Sequence, residues 1–218
     1  MDSSVTICYT TIGIDSDKII SITSLRGFFG NSFISIPEFH HHSESSYHYP
    51  MIQYKKIGKE LILMGISKYA GLVFEKLSTI DKILINNKEI PVNNIQIDLT
   101  KNEIKLLEDT NYRFITPWLA LNEKNYKIYL KLASKERKSF LERILVGNIL
   151  SMLKGLGIRI DFKIQVKISK ISSKTTKVHY NKFIGFYCDW NSNILIPQYC
   201  GLGKSVSKGY GTVIENDN

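Results

Sequence analysis

The strongest constraint on the fold is an alternation that runs twice along the 218 residues. Short β-branched or strictly alternating stretches are separated by stretches of helical period. The first round opens with "SVTICYTTIGI", whose β-branched residues favour a strand, and continues into a helix from near Ile20 through "SLRGFFG". Past a polar loop, "PMIQYKKIG" and "ELILMGI" read as two short strands turning at Gly58. "SKYAGLVFEKLSTI" then puts Leu72, Val73, Leu77 and Ile80 on one helical face. "KILINNKEI" and "IQIDLTKNEIKLL" complete the half, with "NNK" as a turn. The order β-α-β-β-α-β is the ferredoxin-like plan.

The second round starts with the strand-like "YRFITPWLAL" and two helices, "NEKNYKIYLKLA" and "SKERKSFLERILVGNILSMLKGLG". The longer helix carries an apolar stripe of Leu141, Ile144, Leu145, Ile149, Met152, Leu153 and Leu156. In "IDFKIQVKISK" the apolar residues Ile160, Phe162, Ile164, Val166 and Ile168 alternate with Asp161, Lys163, Gln165 and Lys167. That pattern predicts a strand with one core face and one mostly basic face. "KVHYNKFIGFYCDW" reads as its hairpin partner and "GYGTVI" as a closing edge strand. The polar "EDTNY" marks a boundary near residue 108, giving two α+β domains, 1–108 and 109–218.

Charge separates the two halves. Residues 1–110 carry 11 Lys+Arg against 13 Asp+Glu, whereas residues 111–218 carry 18 against 7. The net +9 therefore comes from the second half, and a concentrated basic field suits a polyanion such as RNA or DNA. Lys163, Lys167, Lys170, Lys174 and Lys177 fit contacts to a nucleic-acid backbone, which set affinity rather than sequence choice. The three cysteines, Cys8, Cys188 and Cys200, are scattered and odd in number, which argues against a disulfide framework. No signal peptide or membrane span is expected, and the reading is a cytoplasmic protein without a membrane partner.

Two segments carry candidate chemistry. "GLGKSVSKGYG" contains Gly203-Lys204-Ser205, but a phosphate-binding P-loop needs glycine where Gln198 stands, and a dinucleotide fingerprint needs it at Val206. What remains is two G-x-G pairs, Gly201 with Gly203 and Gly209 with Gly211, threaded with Lys204, Ser205, Lys208 and Tyr210. Glycines expose backbone N–H groups and the lysines add charge, so the segment suits phosphate contact. The second segment, "FHHHSESSYHYPMIQYKK", holds four of the five histidines and reads as a metal site, a pair of proton carriers or a polar loop. A zinc site wants three or four ligands, yet no cysteine lies near and the only close acids are Glu38 and Glu44. Metal binding is therefore the weakest of the three, proton carriers and a polar loop both stay open, and no metal or other cofactor is expected.

"LRGFFG", the histidine cluster, "YPMIQYK", "PWLALNEKNY", "ILVGNIL" and "IPQYCGLGKSVSKGYG" occur in this order. Together they resemble the CRISPR-associated repeat endoribonucleases, nearest to their small archaeal and anaerobe-type branch, over nearly the whole chain. Tyr210 stands where that family often has Phe, and His48 where Arg commonly precedes Tyr-Pro. The resemblance implies two tandem ferredoxin-like (RRM-like) domains with a C-terminal glycine-rich loop. It assigns Gly201, Gly203, Gly209 and Gly211 to RNA binding and to the fold of the second domain.

The resemblance also implies metal-independent cleavage of CRISPR repeat RNA in the precursor transcript, yielding guide RNAs. The 2′-hydroxyl attacks the adjacent phosphate and leaves 2′,3′-cyclic phosphate and 5′-hydroxyl ends. It places two catalytic histidines two positions apart after the first helix, a spacing met by His40 and His42. Residues i and i+2 of an extended segment share a side, so both can face one phosphate, and an imidazole exchanges protons near neutral pH. Tyr47 and Tyr49 are candidates to orient a reacting group, and Arg26, Lys55 and Lys56 to offset charge on the phosphorane. The implied partners are repeat RNA, precursor and mature, with the CRISPR interference complex and a second copy of the chain as further candidates. The alternative is a non-catalytic repeat-binding protein or guide-complex subunit.

Overall fold

The computed structural model describes residues 4–14, 20–40, 48–178 and 181–216, with the backbone alone at His40. The chain forms two compact units. One comprises Ser4–Asn102 together with Ser207–Gly209, and the other comprises Glu103–Val206 and the chain from Tyr210 onward.

The first unit contains β1 (Ser4–Ile14), α1 (Ile22–Ser32), a short α2 (Pro37–His40), β2 (Ile52–Ile57) and β3 (Glu60–Ile66). It continues through α3 (Lys68–Leu77), β4 (Lys82–Ile85) and β5 (Lys88–Glu103). Its sheet has the order β2-β3-β1-β5-β4. Ser21 caps α1 by accepting a hydrogen bond from the Ser24 N–H at 3.0 Å. The helix then buries Leu25 and Phe29, which are fully excluded from solvent. The Phe29 ring lies 6.4 Å from Phe39 of α2 and 6.1 Å from Tyr54 of β2, so one aromatic cluster ties three elements together. Removing each such ring from water contributes about 1.5–3 kcal/mol, which fixes α2 against β2.

The second unit contains β6 (Leu106–Phe114), α4 (Glu123–Lys131), α5 (Ser134–Leu156), β7 (Val166–Val178), β8 (Asn181–Ile194) and β9 (Val213–Glu215). Its sheet has the order β7-β8-β6-β9. With each unit's strands counted from its own start, both sheets read second-third-first-last, the ferredoxin-like arrangement, and β4 is an added edge in the first. The second unit departs from the plan in two respects. Two helices, α4 and α5, separate β6 from β7. Between β8 and β9 there is no α-helix, only the glycine segment with one 3-10 turn, Val206–Lys208. The core there is aromatic: Trp118 stacks on Phe114 at 5.2 Å, and its Nε1 donates to Asn148 Oδ1 at 2.9 Å. Burial also pushes the Cys188 thiol up to about 12, which keeps it protonated. None of the three cysteines is in a disulfide.

Three strand boundaries differ from the sequence pattern. β6 runs through "EDTNY" from Leu106 and ends at Phe114, short of the end of the expected "YRFITPWLAL". The expected strand from Ile160 begins only at Val166. Residues before it alternate in burial, but side chains replace the ladder: the Gln165 N–H donates to Asn193 Oδ1 at 2.8 Å, and Asn193 Nδ2 donates to the Lys163 carbonyl at 2.9 Å. In the first unit, Lys88–Glu103 is one 16-residue strand that runs straight through "PVNN". Among the described residues no helix is long and apolar enough to cross a membrane.

Candidate nucleic-acid interface

The described flanks of the histidine stretch converge in the first unit. Before it, α2 ends at His40; after it, His48, Tyr49 and Pro50 lead into β2. Pro37 and Glu38 from one flank, and His48, Tyr49 and Pro50 from the other, line one cavity of about 270 Å³. Tyr69 stands beside them and donates to Glu38 Oε1 at 2.8 Å. Tyr54 Oη donates to the Phe39 carbonyl at 3.2 Å, fastening the chain one residue before His40. His42 and Tyr47 lie outside the described residues, as does the side chain of His40. Tyr49 is buried, only 5% exposed.

Two cations stand near that fastening point. Arg26, half-buried on α1, interacts electrostatically with Tyr54, and burial lowers its guanidinium below the usual arginine range. Lys208 belongs to the same unit and is also half-buried. Burial lowers its ammonium first, and repulsion from Arg26 lowers it further. Two cationic side chains thus meet at one corner of the unit. Gly209 allows the approach: it sits at φ 84°, and a Cβ there would lie 2.9 Å from the Tyr54 carbonyl oxygen. Lys55 is fully buried, with its ammonium 3.0 Å from Gln53 Oε1, and Lys56 Nζ donates to the Ile20 carbonyl at 3.1 Å.

The rest of the glycine segment is built into the second unit. Gly201 pairs with Thr212 as an antiparallel bridge, and Leu202 N–H donates to the Gly211 carbonyl at 2.9 Å. Added methyl groups would meet Val206 at Gly201, the Trp118 ring at Gly203 and the Leu202 carbonyl at Gly211. Close backbone packing thus accounts for these three glycines. Lys204 is exposed, while Ser205 and Tyr210 are half-buried. Tyr210 Oη donates to the Lys177 carbonyl at 3.2 Å.

The basic surface follows β7 and α5. Lys163, Lys167, Lys170, Lys174 and Lys177 are all exposed. Lys163 lines a groove of about 750 Å³ with Lys135 and Arg143 of α5, and Lys167 lines a neighbouring one with Lys135 and Lys138. Glu136 and Glu142 interrupt the first, so the field is mixed there. On β8 the one acid beside Lys170 is held by Arg113, whose Nε and Nη2 reach the Asp189 carboxylate at 2.6 and 2.9 Å. Those bonds hold Asp189 below the usual carboxylate range. Sequence reasoning missed Lys182, which faces Lys177 across the hairpin, because the pairing register is not visible in a single strand. Among the described residues no three His, Cys, Asp or Glu side chains gather as a metal site.

Comparison with known proteins agrees with this architecture. The family model of the Cas6b N-terminal domain matches residues 5–103, and that of the Cas6b C-terminal domain matches residues 105–216. A crystal structure of Cas6b superposes with a TM-score of 0.88 at 30% identity, covering 98% of this chain and 100% of that one. A crystal structure of a CRISPR RNA processing endoribonuclease Cas6b gives 0.76, also at 30% identity, over 97% of this chain and 100% of that one. An uncharacterized protein of Methanocaldococcus jannaschii is 48% identical over 103 residues, which is 47% of this chain and 70% of the relative. With both domain models matched in order along the two units, the chain belongs to the Cas6b family of CRISPR RNA processing endoribonucleases.

Proposed function

We propose that this chain cuts CRISPR repeat RNA in the precursor transcript without a metal ion, by attack of a 2′-hydroxyl on the adjacent phosphate. The 2′-oxygen forms a bond to phosphorus, the bond to the 5′-oxygen breaks, and the products carry a 2′,3′-cyclic phosphate and a 5′-hydroxyl. His40 and His42 take one proton from the 2′-hydroxyl and give one to the leaving oxygen. Tyr47 and Tyr49 orient these groups. Arg26 and Lys208 offset the charge that builds on the phosphorane. Lys163, Lys167 and Lys204 hold the RNA backbone.

The observation that carries this reading is the fastening of α2. The Tyr54 bond to the Phe39 carbonyl sets the start of the histidine stretch close to a half-buried cationic pair. Proton carriers combined with cationic side chains suit transesterification at a phosphate. The exposed lysines of the second unit supply the affinity for a long polyanion. A repeat RNA incubated with the protein in EDTA tests both points. Wild type yields the cyclic-phosphate product, and His40→Ala with His42→Ala slows cleavage by about a hundredfold or more. Cleavage that survives in the double variant sinks the proton-carrier assignment. Activity lost on chelation restores the zinc reading, and tight binding without product favours a repeat-binding subunit.

A further inference from the structure

A second feature of the basic unit lies away from the histidine stretch. A groove of about 550 Å³ runs between the start of α4, the hairpin end of β7 and β8, and Lys204 of the glycine segment. Its size falls within the range of roughly 300–1,000 Å³ common to pockets for small organic groups. α4 buries none of its own residues fully and is held through Tyr129, whose ring meets Phe186 edge-on at 5.6 Å and carries Arg137 over its face at 4.9 Å. Tyr126, on the same helix, lines the groove and is 41% exposed. Its ring makes no ring contact and its hydroxyl no hydrogen bond among the described residues. Phe183 of β8 is the second aromatic in the lining.

The charges of the groove point to an anion. Its single carboxylate, Glu123, is already paired with Lys127 at 2.7 Å. Lys182 and Lys204 form no ion pair among the described residues, and both line the groove. Lys182 is also directly opposite Lys177 in the β7–β8 ladder. Like charges facing each other across a ladder destabilise it, and a bound phosphate reverses the sign of that interaction. An exposed aromatic face flanked by two uncompensated ammonium groups matches the two halves of one nucleotide.

We infer that this groove takes a single unpaired nucleotide of the bound RNA, its base against Tyr126 and Phe183 and its phosphate between Lys182 and Lys204. The assignment rests on the chain's binding of repeat RNA and adds the strand state it reads: an unstacked base outside any duplex. Stacking on an aromatic face tolerates any base, so the groove sets position along the RNA rather than sequence.

The test uses the full chain and a CRISPR repeat RNA from the encoding genome, with 2′-deoxy at the cut site so that binding is read without cleavage. Fluorescence anisotropy is measured for a set of such RNAs, each with one abasic position, against wild type, Tyr126→Ala and Tyr126→Phe. Loss of one stacking partner is expected to weaken binding roughly 5- to 100-fold in Tyr126→Ala, and Tyr126→Phe restores it. One abasic position should cost wild type a similar factor and cost Tyr126→Ala nothing further. Equal affinities of wild type and Tyr126→Ala overturn the assignment, as does a full abasic penalty at every position in Tyr126→Ala. Either result, from a wild type that binds and cuts the unmodified repeat, leaves the nuclease reading standing. A wild type that neither binds nor cuts it removes both.

Discussion

Gly211 offers a way to separate packing from phosphate contact in the glycine segment. Gly211 and Gly157 lie in the same unit, at φ 64° and 72°, and differ in what surrounds them. A methyl group at Gly157, the residue that ends α5, meets nothing within 4 Å. Gly157→Ala therefore loses only the conformational preference, about 1–2 kcal/mol. At Gly211 the same methyl group would stand 1.9 Å from the Leu202 carbonyl oxygen. An ordinary carbon–oxygen contact needs about 3.3 Å, so the two arms of the segment must part by more than about 1 Å. Parting them breaks the bonds from Leu202 N–H to the Gly211 carbonyl and from Gly211 N–H to the Pro117 carbonyl, both 2.9 Å. Two such bonds at about 0.5–1.5 kcal/mol each bring Gly211→Ala to roughly 2–5 kcal/mol. For a chain of this length each kcal/mol lowers Tm by about 2–4 °C. Calorimetry should find Gly211→Ala melting several degrees below Gly157→Ala. Equal melting temperatures, with RNA affinity lost only in Gly211→Ala, would refute the packing account and return Gly211 to direct phosphate contact.

Two further outcomes follow from the basic unit. Lys167→Ala and Lys174→Ala, both at exposed positions, should each reduce the slope of log affinity against log salt by about 0.7–0.9 while leaving stability within about 0.5 kcal/mol; an unchanged slope places the RNA elsewhere. Asp189 ionises more readily in the folded chain, because Arg113 holds its carboxylate, so the stabilisation it provides is present at neutral pH and is lost as pH falls through the carboxylate range. Asp189→Asn should therefore melt below wild type at pH 7, and the gap should narrow steadily as pH falls below the ordinary carboxylate range; a gap that does not change with pH would show that the pair is not the cause.

Much of the secondary structure was legible because burial and period coincide. β2 and β3 turn at Gly58 as their flanking patterns indicate, and α5 buries Leu141, Leu145, Ile149, Met152 and Leu153 from its predicted stripe. The strand expected from Ile160 shows where that logic stops. Alternation records which side chains face the core, and Ile164 does so, but pairing depends on a neighbour, and Asn193 supplies side-chain bonds there instead. The candidate site was legible in part for a similar reason. The family resemblance points to His40 and His42, and residue types and spacing to the glycine pairs, whereas the meeting of Arg26 with Lys208, far apart in sequence, depends on the fold. Glycine spacing alone also does not distinguish a loop opened to phosphate from one pressed against its own backbone. Tyr126 is exposed because α4 anchors through Tyr129 instead, which a single helical pattern does not reveal.

The membership of Ser207–Gly209 has a consequence for synthesis. The first unit is encoded first, yet its last piece leaves the ribosome about a hundred residues after Asn102. At about 5–20 residues per second that is a wait of roughly 5–20 s, during which Tyr54 and the backbone around Lys55 lack the 3-10 turn that approaches them. Lys208 arrives only with that segment, so the cationic pair with Arg26 is assembled near the end of translation. A nascent chain truncated short of its final turn would carry the histidine stretch but only half of its positive partner.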